Sequence, residues 1–189
     1  MFVPRTDSSK AGMKSLVLHP DCVTGPVTAV SAQIIPAVNG CRANFRLLGD
    51  ITAIKIPAAG PGERTDNLWK TTCFEIFWQP RLQEGGDSYY REFNLSPSSR
   101  WACYDFDSFR EGMRGAPVEA ISISCSQDDH SLVLEANIAS SLPTPADVAL
   151  NAIVEDTAGN IQFWALAFAK GKAEFHSEVC RAVQLAGTL

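Results

Sequence analysis

The chain has 189 residues, of which 46% are hydrophobic and 20% are charged, and its formal net charge is −5. This length and apolar share suit a single domain with one core and exclude a disordered chain. The acidic balance argues against nucleic acids and anionic membrane surfaces as partners, and no apolar stretch reaches the roughly 20 residues that a transmembrane helix needs.

The N-terminal stretch MFVPRTDSSKAGMKS is polar and has no hydrophobic periodicity. Residues 1–14 are therefore expected to form a flexible tail ahead of one domain that spans residues 15–189. The stretch lacks the apolar run of a secretory signal, which favours a cytoplasmic protein. In a reducing compartment the six scattered cysteines would stay as thiols, and most are expected to be small buried hydrophobes.

Apolar runs of strand length recur from Ser15 onward, separated by clusters of Gly, Pro, Asp, Asn and Ser. The runs are SLVLH, VTAVSAQIIPAV, CRANFRLL, ITAIKIP, TCFEIFWQ, YYREFNLS, RWACYDF, AISISCS, SLVLEANI, VALNAIVED and NIQFWALAFA. Several alternate between apolar and polar residues, and the connectors QDDH and DTAGN have the composition of hairpin turns.

This pattern predicts an all-β fold, a two-sheet antiparallel β-sandwich of the jelly-roll or immunoglobulin-like kind. Only a few short helical turns are expected, one of them in SFREGMRGA. The Pro-rich segments PAAGPGERTDN and SSLPTPAD are expected to be loops.

The polar side chains with the greatest chemical capacity lie in LWKTTCFEIFW, residues 68–78, and YYREFNLSPSSRWACYDF, residues 89–106. Strand alternation places Glu75 on the opposite face from its immediate neighbours, and it separates Arg91 from Glu92. If the two strands pair, Glu75 shares a face with either Glu92 or Arg91, depending on the register.

Sugars are bound by flat aromatic rings against their C–H faces and by carboxylate, amide or guanidinium groups that pair with their hydroxyls. The residue types in these strands fit a carbohydrate or another small polar ligand. The candidate ligand-binding residues are Trp69, Glu75, Arg91, Glu92, Asn94, Trp101 and Tyr104. On composition alone, core aromatics beside an ordinary cross-strand polar network are the commoner explanation.

Two other chemistries have weaker signals. Glu75 and Glu92 could be the paired carboxylates of a glycosidase, but the sequence reveals no cleft and no acid of raised pKa. His19, Cys22, His176 and Cys180 could converge on zinc, although a buried histidine bonded to the backbone is the commoner arrangement, and no metal site is predicted. With no phosphate loop, nucleophile elbow or zincin motif, the chain is expected not to be an enzyme.

Two long motifs stand out in the same region. They are L-W-x-x-T-C-F-E-x-F at Leu68 to Phe77, and Y-R-E-F-N-x-S-P-S at Tyr90 to Ser98 continuing into W-A-x-Y-D-F-D at Trp101 to Asp107. With shorter pieces such as FWALA at Phe163 to Ala167, they extend over about residues 16–181. Together they resemble the DOMON-like domain family related to the type 9 carbohydrate-binding modules, in particular its bacterial subgroup found near cell-wall reductase genes.

The resemblance implies a β-sandwich that binds a small ligand, with sugars and haem as the ligand classes of the wider superfamily. It implies that Trp69, Glu75, Asn94 and Trp101 border a sugar ligand. Ser99 departs from the pattern, because close relatives usually have Gly before the second Trp-containing strand.

A haem would need Met113 and His176 as its axial pair, and it ranks below sugar, so no cofactor is expected. The resulting expectation is a non-catalytic carbohydrate-binding domain whose protein partners are unknown. The first alternative is an interaction domain without a small ligand, followed by a haem-binding domain and then a glycoside-acting enzyme.

Overall fold

The computed structural model describes residues 12–81 and 89–187, and its regular structure is almost entirely antiparallel β-strand. Within these ranges the only helices are three single 3-10 turns, at Ile51–Ala53, Leu68–Lys70 and Glu178–Cys180, which confirms the predicted all-β class. The strands are β1 (Lys14–Leu18), β2 (Val27–Ala37), β3 (Gly40–Gly49), β4 (Cys73–Pro80), β5 (Tyr90–Leu95), β6 (Trp101–Phe106), β7 (Arg114–Gly115), β8 (Ala120–Gln127), β9 (Ser131–Ala139), β10 (Ala146–Glu155), β11 (Ile161–Ala165) and β12 (Val183–Leu185).

The strands form two antiparallel sheets that share β1. The strand order in sheet A is β1-β2-β3-β9-β8, and the order in sheet B is β7-β6-β5-β4-β10-β11-β1, with β12 paired to β10. The inner faces of the two sheets bury one main core, so the predicted β-sandwich is confirmed. The first strand begins at Lys14, but residues 1–11 of the predicted tail lie outside the described residues, and the predicted domain limits stay a prediction.

The main core joins sheet A to sheet B through large side chains that are excluded from solvent. Phe45 and Leu47 come from β3, and Phe74 and Ile76 come from β4; all four are fully buried. The rings of Phe45 and Phe74 lie with their centroids 4.9 Å apart. Burial of each such side chain stabilises the fold by about 2 kcal/mol, so this interface accounts for the packing of the two sheets.

Sheet B also buries its outer face, and this distinguishes it from sheet A. The buried outer residues include Phe77, Tyr90, Phe106 and Ile153, and Phe175 from the C-terminal segment covers them. As a result β4 and β5 are buried at nearly every position, while β8 and β9 alternate between buried and open positions. A polar residue on the outer face of sheet B is therefore enclosed by protein.

Two sequence-based predictions of local structure are wrong. The run ITAIKIP is not a strand, because the Asp50 side chain accepts a hydrogen bond from the Thr52 N–H (3.1 Å) and caps a 3-10 turn, so that only Ile54 makes a β-bridge. The predicted helical turn in SFREGMRGA is instead the short strand β7, preceded by a bridge between Ser108 and Glu111.

The predicted turns have the expected side-chain support. In QDDH, the Asp128 carboxylate accepts from the backbone N–H groups of His130 and Ser131 at 2.8 and 2.7 Å. In DTAGN, Asp156 accepts in the same way from Ala158 and Asn160. The Ser-Pro-Ser-Ser segment joins β5 to β6, and Ser99 within it has a φ of 71°, the left-handed region that favours glycine.

Candidate functional site

A pocket of about 850 Å³ opens on the outer face of sheet B. Its floor is formed by β4, β5, β6, β10 and β11, and its walls come from two segments outside the sheet and from the segment that leads into and includes the edge strand β7. Those segments contribute Arg64 to Lys70 on one side, Arg110 to Gly115 on another, and Ala173 to His176 on the third. The cavity thus lies over the part of the sheet to which the longest sequence motifs belong.

The floor is polar because of the strand register. Glu75 on β4 lies directly across from Asn94 on β5 and from Asn151 on β10, and Glu92 lies across from Phe77. Since side chains alternate along a strand, Phe74 and Ile76 point into the main core and Glu75 between them points to the pocket. Glu75 therefore shares its face with Glu92 and Asn94, and the open question of register is answered.

The two carboxylates on the floor are held away from water. Glu75 is 3% exposed and Glu92 is 5% exposed, and both line the pocket. Burial raises the pKa of Glu75 well above its usual range, and the neighbouring Glu92 charge raises it further. Burial also raises the pKa of Glu92, to about 7, although the Asn94 amide and the Arg110 guanidinium oppose this. Both carboxyl groups therefore hold their protons to a higher pH than an exposed glutamate does.

Asn94 contributes to the pocket indirectly, by binding the carboxylate of Glu92. Its side-chain amide donates to Glu92 Oε1 at 2.5 Å, and its own oxygen accepts a weak bond from the Cys73 thiol at 3.8 Å. Asn94 is fully buried beneath the pocket and does not line it. Its role is to fix the orientation of the Glu92 carboxylate.

His176 forms the wall beside Glu92. Its Nδ1 lies 2.7 Å from the Tyr90 hydroxyl, which also accepts a bond from the Arg110 backbone N–H at 3.1 Å. Its Nε2 faces Glu92 Oε2 at 3.7 Å. Burial, with the Arg110 charge, lowers the pKa of His176 to about 4, so the ring is neutral at physiological pH and does not neutralise Glu92.

The mouth of the pocket carries an open aromatic surface. Trp69 is 46% exposed, and Lys70 Nζ lies 5.5 Å from the centre of its ring. Deeper in the pocket, the Tyr104 hydroxyl donates to Asp66 Oδ1 at 2.6 Å. That bond, reinforced by Arg64, holds the pKa of Asp66 below its usual range.

Most cations at the rim already have carboxylate partners. Arg110 makes a two-point contact with Glu174, at 2.9 and 3.1 Å. Arg114 lies 2.5 Å from Asp107, and Arg64 lies 2.9 Å from Asp66. The positive charge at the rim is thus largely neutralised before any ligand arrives.

The structure brings four of the seven predicted ligand-binding residues to one pocket and separates two from it. Trp69, Glu75, Glu92 and Tyr104 line the cavity, and Asn94 supports it from below. Arg91 and Trp101 lie on the inner side of sheet B, so the prediction that they share this site needs correction. The physical reason is strand parity: Arg91 is next to Glu92, and Trp101 is three residues from Tyr104, so each takes the opposite face.

Arg91 and Trp101 have structural contacts of their own. Arg91 donates two bonds to Asp105, at 2.7 and 2.9 Å, and one to the Ser140 hydroxyl at 2.8 Å. Trp101 packs against the main core, and its backbone pairs with that of Glu63 and Thr65. Both residues therefore hold the loop and the sheet together behind the pocket.

Sequence reasoning missed three residues at the site: Tyr90, Asn151 and Arg110. It considered His176 only as a metal or haem ligand. Tyr90 lies two residues before Glu92, so alternation along the strand already places both on one face. Asn151 shares the face of Glu75 through the pairing of β10 with β4, which the pattern of one strand does not specify. The position of Arg110 depends on a loop, and no strand pattern indicates it.

The four residues weighed as zinc ligands have separate contacts. His19 Nδ1 accepts from the Asp21 N–H at 3.2 Å, Cys22 accepts from the Phe163 N–H at 3.3 Å, and the Cys180 thiol donates to the Glu174 carbonyl at 3.3 Å. Over residues 12–81 and 89–187, no group of three or more His, Cys, Asp or Glu residues is placed to hold a metal ion.

The chain matches no protein-family model, no curated protein and no solved structure. The resemblance to DOMON-like domains therefore stays a prediction based on the sequence motifs. In the part of the chain that the structure describes, no helix is both long and apolar enough to cross a membrane.

Proposed function

We propose that this protein is a non-catalytic binding domain that takes a carbohydrate, or a molecule that contains one, in the pocket on sheet B. The observation that carries the proposal is the arrangement of one cavity with an exposed Trp69 at its mouth and buried acceptors, Glu75 and Glu92, at its floor. An exposed indole can cover the C–H face of a sugar ring, and carboxylates accept bonds from its hydroxyls.

The size and lining of the cavity support a small polar ligand. About 850 Å³ lies within the range of sites that enclose ligands of a few hundred daltons. The walls combine aromatic rings, such as Phe106 and Phe175, with the polar floor. An interaction domain without a ligand would not need a concave, aromatic-walled cavity over two buried acids, so this arrangement disfavours that alternative.

Removal of the Trp69 ring is expected to weaken sugar binding by about tenfold or more, because a central aromatic contact commonly carries that share of the binding energy. The measurement is calorimetric titration of a panel of mono- and oligosaccharides into the wild type and Trp69→Ala. Trp101→Phe is the matched control, because Trp101 packs on the core side and the substitution keeps an aromatic ring there. If no sugar binds the wild type, or if Trp69→Ala binds as well as the wild type, the proposal is wrong.

A glycoside-acting enzyme is the second candidate, and the raised pKa of Glu92 is the observation that favours it. A carboxylic acid with a pKa of about 7 is suited to protonate a leaving group, and Glu75 is a second carboxylate in the same pocket. Turnover of chromogenic glycosides by the wild type, compared with Glu92→Gln, distinguishes the two candidates. Equal background rates in both proteins would remove the enzyme.

Haem is disfavoured by the geometry around its expected axial histidine. Met113 and His176 both line the pocket. However, His176 Nδ1 is bonded to Tyr90, and Nε2 lies 3.7 Å from Glu92 Oε2. A haem bound through Nε2 would place its porphyrin plane about 2 Å from that nitrogen, in the space that the Glu92 carboxylate occupies, so these residues do not fit a haem.

A further inference from the structure

The acidic floor of the pocket contains a carboxylate without a partner. Glu75 is 3% exposed and lines the cavity, yet its carboxylate makes no hydrogen bond and no ion pair with any of the described residues. Its neighbour Glu92 uses Oε1 to accept from Asn94 and leaves Oε2 facing the neutral His176 ring. A buried carboxylate is unfavourable by several kcal/mol unless it is protonated or paired. In the free protein burial favours the protonated form of Glu75, and its oxygens remain open to a ligand group that can pair with them.

A second buried polar side chain, in the residue paired with Glu75 on the neighbouring strand, also lacks hydrogen-bond partners. Asn151 lies directly across from Glu75 and is fully buried, and neither its side-chain nitrogen nor its oxygen has a partner within residues 12–81 and 89–187. Native structures leave few buried polar atoms in this state. Asn151 lies behind the cavity lining, whereas Glu75 is part of it, so Glu75 is the unpartnered group that a bound molecule can reach.

The charged groups around the floor leave it as the negative end of the pocket. Arg110 is paired with Glu174, and Arg181 lies over the Tyr90 ring, 4.6 Å from its centre, and donates to the His176 carbonyl. The remaining titratable groups near Glu75 are uncharged: burial raises the pKa of Cys73 and Tyr90, and His176 is neutral. Lys70, which lines the mouth of the pocket, lies against the Trp69 ring. A group that reaches Glu75 therefore meets the two carboxyl groups of the floor, and the pocket-lining guanidinium of Arg110 beside them is already paired with Glu174.

We propose that the floor holds a protonated amine, so that the ligand of this pocket is an amine-bearing hydroxylated molecule of the amino-sugar class. The ammonium lies against Glu75 and Glu92 Oε2, and the sugar ring lies against Trp69. This inference rests on the proposed function. It deepens that function, because an ammonium offers three donors to acceptors that no described protein group fills.

Binding of the amine is coupled to release of a proton. At about pH 6, below the Glu92 pKa of about 7, the pair of carboxyl groups in the free protein holds a proton on oxygen. When the ammonium arrives, that O–H bond breaks, the proton goes to solvent, and the resulting carboxylate pairs with the ammonium. A neutral sugar does not exchange a proton in this way, since its hydroxyls donate to the pair without displacing its proton.

The test uses the full chain at about pH 6 with three related sugars: glucosamine, glucose, and N-acetylglucosamine, which keeps the nitrogen but not its positive charge. We expect glucosamine to bind about tenfold more tightly or better than the two neutral sugars, and its binding to release about one proton. Proton release is measured by calorimetry in two buffers that differ in ionisation enthalpy. The neutral sugars are expected to release none.

Glu75→Gln keeps the size of the side chain and removes its ability to carry a negative charge, and it is expected to abolish the preference, so that the variant binds glucosamine no more tightly than glucose. Glu135→Gln, an exposed position on β9 of sheet A, changes the net charge equally and is expected to keep the preference. Equal affinity of the wild type for glucosamine and glucose, or binding of glucosamine without proton release, overturns the amine proposal and leaves sugar binding standing. Failure of all three sugars to bind overturns both proposals.

Discussion

At about pH 8, Glu92→Gln is expected to raise the free energy of unfolding by on the order of 3 kcal/mol relative to the wild type, and at about pH 4 to change it little. The reason is that Glu92 is nearly buried beside a second acid, with a pKa raised from 4.5 to about 7. Below its unfolded pKa the group is protonated in both states. As the pH rises from about 4.5 to about 7, the unfolded chain loses the proton first, so the wild type loses stability across that window.

The measurement is urea unfolding of the wild type and Glu92→Gln at several pH values between these limits. Glu135→Gln on β9 is the control, since its side chain is exposed and far from the pocket in the strand order. The wild type should become less stable as the pH rises through the window, whereas Glu92→Gln should show a flatter profile. Parallel profiles for the two proteins would mean that the floor carboxylates are ionised without penalty.

The second large effect is expected at Arg91, on the opposite face of the same strand. Arg91→Ala should lower the free energy of unfolding by about 3 kcal/mol, because it leaves the Asp105 carboxylate with its side chain only 14% exposed and without its two bonds. Sugar affinity should stay within about twofold of the wild type, since Arg91 does not line the pocket.

The double variant Arg91→Ala with Asp105→Ala supplies the control for this prediction. If the ion pair causes the loss, the double variant should be less destabilised than the sum of the two single variants, because neither charge is left unpaired. Unfolding in denaturant and sugar titration on the same samples provide both readouts. A loss of sugar affinity in Arg91→Ala at unchanged stability would contradict the placement of Arg91 behind the pocket.

The parts of the fold that sequence could predict are those that depend on local alternation. The hairpins at Asp128 and Asp156 follow from turn residues whose side chains accept from the next backbone N–H groups. The strand predicted for ITAIKIP is wrong because its short apolar pattern is compatible with a strand and with a helical turn alike. The Asp50 cap stabilises a 3-10 turn there.

In the candidate site too, alternation along one strand is predictable from the sequence, whereas contacts between distant segments are not. Glu75 and Glu92 are separated in sequence, and only the pairing of β4 with β5 brings them to one face, which no single-strand pattern specifies. Trp101 shows the opposite error, since its distance of three residues from Tyr104 already placed the two on different faces of a regular strand. The pocket itself depends on His176 and Phe175 folding back over sheet B, a contact with no local signal.

The backbone conformation of Ser99 bears on the turn between β5 and β6. Ser99 stands where glycine is usual in the family that the motifs resemble, and its φ of 71° is the conformation in which glycine is favoured. The strand that follows nevertheless begins at Trp101 in regular pairing with Leu95. The turn therefore accommodates serine without displacing the strand.

A crystal of the protein soaked with glucosamine would show directly whether the pocket on sheet B holds the ligand. Binding in the pocket on sheet B predicts density for a sugar ring against Trp69, with its nitrogen within hydrogen-bonding distance, about 3 Å, of Glu75 or Glu92. Sugar density elsewhere on the molecule, or none under conditions where solution titration shows binding, would contradict the assignment of this pocket as the ligand site.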